Sequence, residues 1–221
     1  MVKIACVIPA YNEAKNIVRV VDSVRPFVDE IIIVDDCSSD ETVVCARTTG
    51  ALVLQHPINR GQGAALETGN TLALARGADI IIHFDGDGQF LAAEIKDMVE
   101  PIISGRADIV FGSRFLGKKT NFPAFKRYII YPLAKIFTRF LLGVKLSDPQ
   151  NGFRAFSRQA AELIRIENRG MAHASEIQTK AFRNGLRVAE VPITVIYHHF
   201  GQRLSGGFKI VRDLLISKII K

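Results

Sequence analysis

Short apolar runs alternate with stretches of helical periodicity along the first half of the chain. Lys3–Pro9, Glu30–Asp36, Ala51–Leu54, Asp79–Phe84 and Asp108–Phe111 read as five buried strands. Between them, Ala14–Val24, Asp40–Thr49, Gly63–Ala75 and Ala92–Ile103 carry the spacing of helices. Ser39 or Asp40 suits the N-cap of the second helix, and Gly50 and Gly77 suit helix stops. Near-continuous Ile/Val strands separated by helices predict an α/β fold, a mostly parallel sheet covered on both faces. In such sheets ligands bind beyond the carboxyl ends of the strands. The segments that follow the strands are PAYNE, VDDCSSD, HPINRGQG, DGDGQF and GSRF, all polar, Gly-rich or acidic.

The pattern changes after residue 115. Lys126–Leu142 places Ile129, Ile130, Leu133, Ile136, Phe137, Phe140 and Leu141 on one helical face, about 140° wide. Pro132 kinks this element or begins its second half. SDPQNGFRAFS reads as turn chemistry leading into a helix. His173–Asn184 reads as a helix stopped by Gly185, Leu186–His198 as a strand, and Phe208–Lys221 as a final apolar and basic helix.

Composition narrows the class. The 221 residues are 48% hydrophobic and 23% charged, enough to bury a core and too apolar for general disorder. Cys6, Cys37 and Cys45 are too few for a disulfide scaffold, and without a CxxC no structural zinc site is expected. The opening MVKIACVIPAYN lacks the features of a signal peptide, so a cytoplasmic location is expected. The charge is divided: residues 1–108 carry 9 basic and 16 acidic side chains, whereas residues 109–147 carry eight basic and no acidic ones. A basic half calls for an anionic partner. Nucleic acid is disfavoured, because there is no Trp, no recognised binding module, and the cations are interleaved with Leu, Ile and Phe.

Asp85 and Asp87 in DGDGQ are the strongest candidate chemistry. Two carboxylates two residues apart beyond a strand can face one ligand, and a bound cation keeps both ionised. Oxygen ligands suit Mg²⁺ or Mn²⁺, which bridge one or two carboxylates to phosphates. A structural role for the pair stays open at this point. An EF-hand reading fails at Phe90 and Lys96, and a haloacid-dehalogenase reading fails at Gln89 and at the motif's place on the fourth strand. Asp35-Asp36 closes the second strand, where an acid can accept from a ribose hydroxyl or base edge. Asn59-Arg60-Gly61-Gln62-Gly63 is either an anion cradle or an ordinary loop.

Taken together, IPAYNE at 8–13, VDDCS at 34–38, NRGxG at 59–63, DxDxQ at 85–89, GSRF at 112–115, DPQNGFR at 148–154 and EVPI at 190–193 resemble family 2 glycosyltransferases of the dolichyl-phosphate mannose/glucose synthase group. The resemblance covers about residues 3–205. It implies a GT-A fold, a nucleotide-sugar donor, a divalent Mg²⁺ or Mn²⁺ ion, and inverting transfer of a hexose onto dolichyl or polyprenyl phosphate. GDP-mannose and UDP-glucose are the candidate donors, with GDP-mannose preferred. By the same resemblance Pro9, Tyr11 and Glu13 line the base and ribose, and Val34 and Asp36 continue that pocket. Asp85, Gly86, Asp87 and Gln89 hold the metal and donor diphosphate. Arg114 and Arg127 face phosphate, and Asp148 is the candidate base if one is used.

This chain departs from the group at Gly86, where Ala is common, and at His198, where the group often has Arg. The basic, amphipathic 115–147 segment is expected to meet acceptor lipid and the membrane surface from the cytoplasmic side without spanning it, with 206–221 a separate C-terminal helix. The alternatives are a family 2 transferase with a saccharide acceptor in solution, and a GT-A-like protein that binds nucleotide or lipid without catalysis.

Overall fold

The computed structural model describes residues 1–117, 146–170 and 172–196. The expected helices Lys126–Leu142 and Phe208–Lys221, together with Arg127 and His198, lie outside these residues.

Seven strands form one sheet in the order β3-β2-β1-β4-β6-β5-β7. They are β1 Ile4–Ala10, β2 Glu30–Asp35, β3 Leu52–Gln55, β4 Ile80–His83, β5 Ile109–Ser113, β6 Arg154–Ser157 and β7 Val188–Pro192. The helices are α1 Ile17–Val24, α2 Thr42–Thr48, α3 Gln62–Ala75, α4 Ile95–Ile103, α5 Arg158–Leu163 and α6 His173–Arg183. The sheet is parallel throughout except for β6, which pairs antiparallel with both β4 and β5.

The continuous apolar runs are explained by burial on two sides. Cys6, Ile8 and Ala10 of β1 join Ile31 and Ile33 in a core under α1, α2 and α4. The intervening Ala5 and Val7 join Ile32 and Val34 in a second core under α3, α5 and α6. Successive side chains point to opposite faces, so both parities must be apolar. The face of α3 toward β1 is made of small residues. A β-carbon at Gly69 would overlap Val7, so the helix lies close against the strand.

Among the described residues the expected elements are present with small shifts in their ends, and three points differ. RAFS, read as part of a turn-to-helix passage, is the antiparallel strand β6, with the helix following at Arg158. Four residues are too few for a period to declare itself. The second helix begins at Thr42, and Asp40 serves its start by accepting from the Thr42 N–H at 3.0 Å. Among the described residues the last strand covers Val188–Pro192 of the expected Leu186–His198, with an isolated bridge from Phe90 to Val195 beyond it. Among the described residues no helix is long and apolar enough to cross a membrane.

Candidate active site

The exits of β1, β2 and β4 meet at one edge. Asn12 and Cys37, just beyond β1 and β2, both hold positive φ, 58° and 63°. Non-glycine residues rarely adopt this region, and such strain gathers where loops are over-determined by their surroundings. The determination is visible here. The Asn12 N–H donates to Ser38 Oγ at 2.9 Å, and the Ser39 N–H donates to Asn12 Oδ1 at 2.9 Å. The two loops are thereby locked together, leaving Tyr11 half exposed at the rim.

Asp36 is buried and fully engaged. Its Oδ1 accepts from the Arg60 N–H at 2.8 Å and lies 2.8 Å from His56 Nδ1; its Oδ2 accepts from the Gly61 N–H at 2.6 Å. The carboxylate thus shapes the NRGQG loop. Val34 is fully buried in the core on the α3 side. The side chains of these two residues, expected to line the nucleotide pocket, are engaged by packing and by backbone donors. Pro9 is likewise buried, with its carbonyl close under Gly86.

Asp85 and Asp87 stand at the exit of β4. Gln62, in the first turn of α3, donates Nε2–H to Asp85 Oδ1 at 3.0 Å, and Asp87 Oδ1 accepts from the Gln89 N–H at 3.0 Å. Gly152 packs directly on the Asp85 carboxylate, where a β-carbon would overlap it. Burial pushes the Asp85 carboxyl up to about 7, and the neighbouring charges of Asp87 and Glu13 push the same way, while Arg154 and the Gln62 bond oppose them. Glu13 is also raised, chiefly by burial, with Asp87 and Asp40 contributing. Three acidic groups therefore repel one another at one spot, a field that a divalent cation relieves. Among the described residues no three His, Cys, Asp or Glu side chains form a ready-made metal cage. Two carboxylates fit an ion that completes its shell with substrate phosphate and water.

Arg154 sits behind the aspartates, 1% exposed on β6, with Nε and Nη1 lacking hydrogen-bond partners. Burial pulls its guanidinium down to about 10, and the charges of Asp85 and Asp148 hold it up. His83 and His173 share this interior. His83 Nε2 is 2.8 Å from Asn70 Oδ1, and His173 Nδ1 is 2.9 Å from the Gly170 carbonyl. Burial, then the charge of Arg154, hold His83 well below the usual histidine range and bring His173 down to about 4.

The exit of β5 is built differently. Arg114 donates from Nε to Asp148 Oδ2 at 2.6 Å and from Nη2 to Oδ1 at 2.7 Å, a two-pronged pair. Asp148 also accepts from the Arg114 N–H at 3.1 Å and from Asn151 Nδ2 at 3.3 Å. Asp148 is 1% exposed. Four donors occupy the oxygens of the residue expected as a base, so its visible task is to hold Arg114. Glu190 of β7 anchors the same turn, accepting from the Ser147 N–H and Oγ–H.

The structure thus brings Glu13, Asp85, Gly86 and Asp87 together, with Gln89 on the same loop. It joins Arg114 to Asp148 at the exit of β5, with β6 between β5 and β4. Sequence reasoning assigned no task to Gln62, Gly152, Arg154 or Glu190, although all four lie inside motifs that were singled out. Their type alone did not say which neighbour each would touch.

The model of glycosyl transferase family 2 matches residues 5–165. The chain belongs to that family. Within it, the chain is 35% identical to the UDP-N-acetylglucosamine--dolichyl-phosphate N-acetylglucosaminyltransferase of Methanococcus voltae, covering 97% of this chain and 96% of that one. It is 31% identical to the polyprenol monophosphomannose synthase of Mycolicibacterium smegmatis, over 91% of this chain and 80% of that one. The solved glucosyl-3-phosphoglycerate synthase of Mycobacterium tuberculosis, in complex with Mn²⁺, UDP and glucosyl-3-phosphoglycerate, superposes with a TM-score of 0.75 at 25% identity. That match covers 96% of this chain and 77% of the other. The fold is GT-A, and the family and dolichyl-phosphate sugar transferase group expected from the motifs are those found.

Proposed function

We propose that the protein is an inverting hexosyltransferase. It moves a sugar from a nucleoside diphosphate onto dolichyl or polyprenyl phosphate at the cytoplasmic surface of a membrane. The observation that carries this reading is that the loop from Asp148 to Gly152 serves both groups: Asp148 holds Arg114 at the exit of β5, and Gly152 packs on Asp85 at the exit of β4. The relatives named for dolichyl and polyprenol acceptors, matched along most of both chains, support the acceptor class. Mannose, glucose and N-acetylglucosamine all occur as the sugar among such relatives' names; GDP-mannose is the first donor to test.

Asp85 and Asp87, with Gln89 beside them, are the groups that would hold Mg²⁺ or Mn²⁺. When bound, such an ion neutralises charge on the leaving diphosphate. The half-exposed Tyr11 ring and Glu13 carboxylate meet the base and ribose. Arg114 draws the acceptor phosphate toward the anomeric carbon, with Arg127 as a second phosphate ligand. One acceptor oxygen bonds to that carbon as the bond to the diphosphate breaks, and nucleoside diphosphate leaves. A phosphate monoester has a second pKa of about 6, so it attacks already ionised and no strong base is required. Asp148, filled by donors, serves as the orienting partner of Arg114. Residues 1–205 form the transferase domain, and the basic amphipathic segment within 115–147 meets lipid.

The test is a screen of GDP-mannose, UDP-glucose and UDP-N-acetylglucosamine, each with polyprenyl phosphate, 3-phosphoglycerate or a saccharide, and with Mn²⁺ or Mg²⁺, products being read by mass. A polyprenyl-phosphate sugar formed only with divalent metal is the expected product. Transfer to the soluble acceptors alone would move the protein to a different acceptor class. Binding without any product would leave the non-catalytic alternative.

A further inference from the structure

Glu190 has no place in the chemistry described above, yet its carboxylate is among the most heavily used in the structure. Oε1 accepts from the Ser147 N–H at 2.8 Å, from Ser147 Oγ at 2.6 Å and from the Asp148 N–H at 3.4 Å, and Oε2 accepts from the Ser147 N–H at 3.0 Å. Ser147 Oγ also lies 2.6 Å from Ser113 Oγ, the residue before Arg114. Glu190 belongs to β7, which runs parallel to β5 with Phe111 opposite Glu190 and Ser113 opposite Pro192. The carboxylate therefore ties a rigid strand to the turn that delivers Asp148. Charge-assisted bonds of this kind are shorter and roughly twice as strong as neutral ones. The turn has no other regular structure of its own: Ser147 to Gly152 belong to neither helix nor strand.

We infer that Glu190 is a positioning residue for the acceptor side: it fixes the 147–148 turn, through which Asp148 aims the Arg114 guanidinium. The inference rests on the proposed acceptor role of Arg114 for its kinetic consequence, but its structural content stands apart from it. The chain of contacts is Glu190 to Ser147 and Asp148 backbone, then Asp148 carboxylate to Arg114. These links end on Arg114, whereas the same turn reaches Asp85 only further along, through Gly152. Changes at Glu190 should thus act more strongly on the acceptor step than on donor binding.

Three variants grade the effect. Glu190→Gln keeps the side chain's length and the Oε1 acceptor but loses the charge and the Oε2 acceptor of the Ser147 N–H, so its loss of turnover should be the smallest of the three. Glu190→Asp keeps the charge but withdraws the carboxylate by one methylene, and Glu190→Ala removes it; both should lose roughly tenfold or more in kcat/KM for polyprenyl phosphate, an amount corresponding to loss of a charged hydrogen bond. Mn²⁺-dependent nucleoside diphosphate affinity should fall by clearly less than kcat/KM for polyprenyl phosphate in all three. A readout independent of turnover is the ¹H–¹⁵N signal of the Arg114 Nε–H, identified by its disappearance in Arg114→Lys. Held by Asp148, it should be sharp in wild type and Glu190→Gln, and broadened by exchange in Glu190→Asp and Glu190→Ala. If Glu190→Ala does not fold, Glu190→Asp carries the test. A sharp Arg114 signal in folded Glu190→Asp, or equal losses of donor and acceptor binding, would overturn the inference. If the signal broadens but wild type makes no polyprenyl-phosphate sugar, the positioning holds and the acceptor reading fails.

Discussion

On the β1–β2 side of the site, the buried carboxylate is tied down largely by the backbone. Asp36 takes the N–H groups of Arg60 and Gly61, and Asn12 and the 38–39 turn clasp each other. On the β5–β7 side Asp148 and Glu190 take backbone N–H groups of Arg114, Ser147 and Asp148, and also side-chain donors of Arg114, Asn151 and Ser147. A backbone donor is present whatever residue supplies it, so the first side depends on loop shape and on a few acceptors. On the second side the Arg114 guanidinium and the Asn151 amide are side-chain donors, and a conservative substitution can remove either. The first side should fail when charge is removed, and the second when geometry changes at constant charge.

The largest effect is expected at Asp87. Asp87→Ala removes one of the two carboxylates proposed to hold the metal, and should lower turnover by roughly a hundredfold or more. That exceeds the 10–100-fold range typical for groups that only support a metal ligand. Metal-dependent donor binding, measured by calorimetry with and without Mn²⁺, should fall with it. Retained metal-dependent binding would remove Asp87 from the ion.

Next in size is Gly152→Ala, which probes the seam between the two sides. Gly152 belongs to the acceptor-side loop but touches Asp85, and its φ is not one that demands glycine. A methyl there must displace the Asp85 carboxylate. Mn²⁺ affinity should drop by about tenfold, the scale of misplacing one ligand's support, while the thermal midpoint moves little. A large loss of stability with unchanged Mn²⁺ affinity would show that the loop, and not the carboxylate, gives way.

The smallest effect concerns the interior behind both sides. His173 is held at about 4 and His83 below its usual range, so the fold binds them neutral. A depressed histidine contributes stability that is fully present above its unfolded value near 6.5 and is lost as pH falls toward 4. For His173 the loss between pH 7.5 and 5 is about 2 kcal/mol. Asp85, raised to about 7, works in the opposite direction over the same window, since its protonated form suits the fold. The wild-type slope is therefore a difference, and the measurement is the change in that slope. In urea unfolding, His173→Gln should lose less stability on acidification than wild type. Parallel pH profiles would mean that His173 is not held neutral.

The same contrast explains what could be read from sequence. Parallel βα units announce themselves through apolar runs and helical periods, so β1 to β5 and their loops were legible, including the place of Asp85 and Asp87. β6 was not, because four residues after a polar turn carry no period and because Arg154, a charged residue, is buried at its start. At Val34 and Asp36, positions at a strand end do not reveal that one side chain packs in the core and the other takes the Arg60 and Gly61 N–H groups. At Asp148 the turn chemistry was visible, but the pairing with Arg114 joins residues 34 positions apart and has no local signature.

The most direct test measures donor binding and sugar transfer separately in Asp87→Ala and Arg114→Lys, with the donor that the screen identifies. Lysine keeps the charge of Arg114 but cannot form the two-pronged bond to Asp148. Arg114→Lys should bind the nucleotide sugar with Mn²⁺ as wild type does, yet lose roughly 10–100-fold in kcat/KM for polyprenyl phosphate, as expected for lost charged hydrogen bonds. Asp87→Ala should lose both. If Arg114→Lys instead weakens donor binding as much as transfer, Arg114 serves the donor, and the division of the site into a metal-holding donor side and an arginine-built acceptor side is wrong.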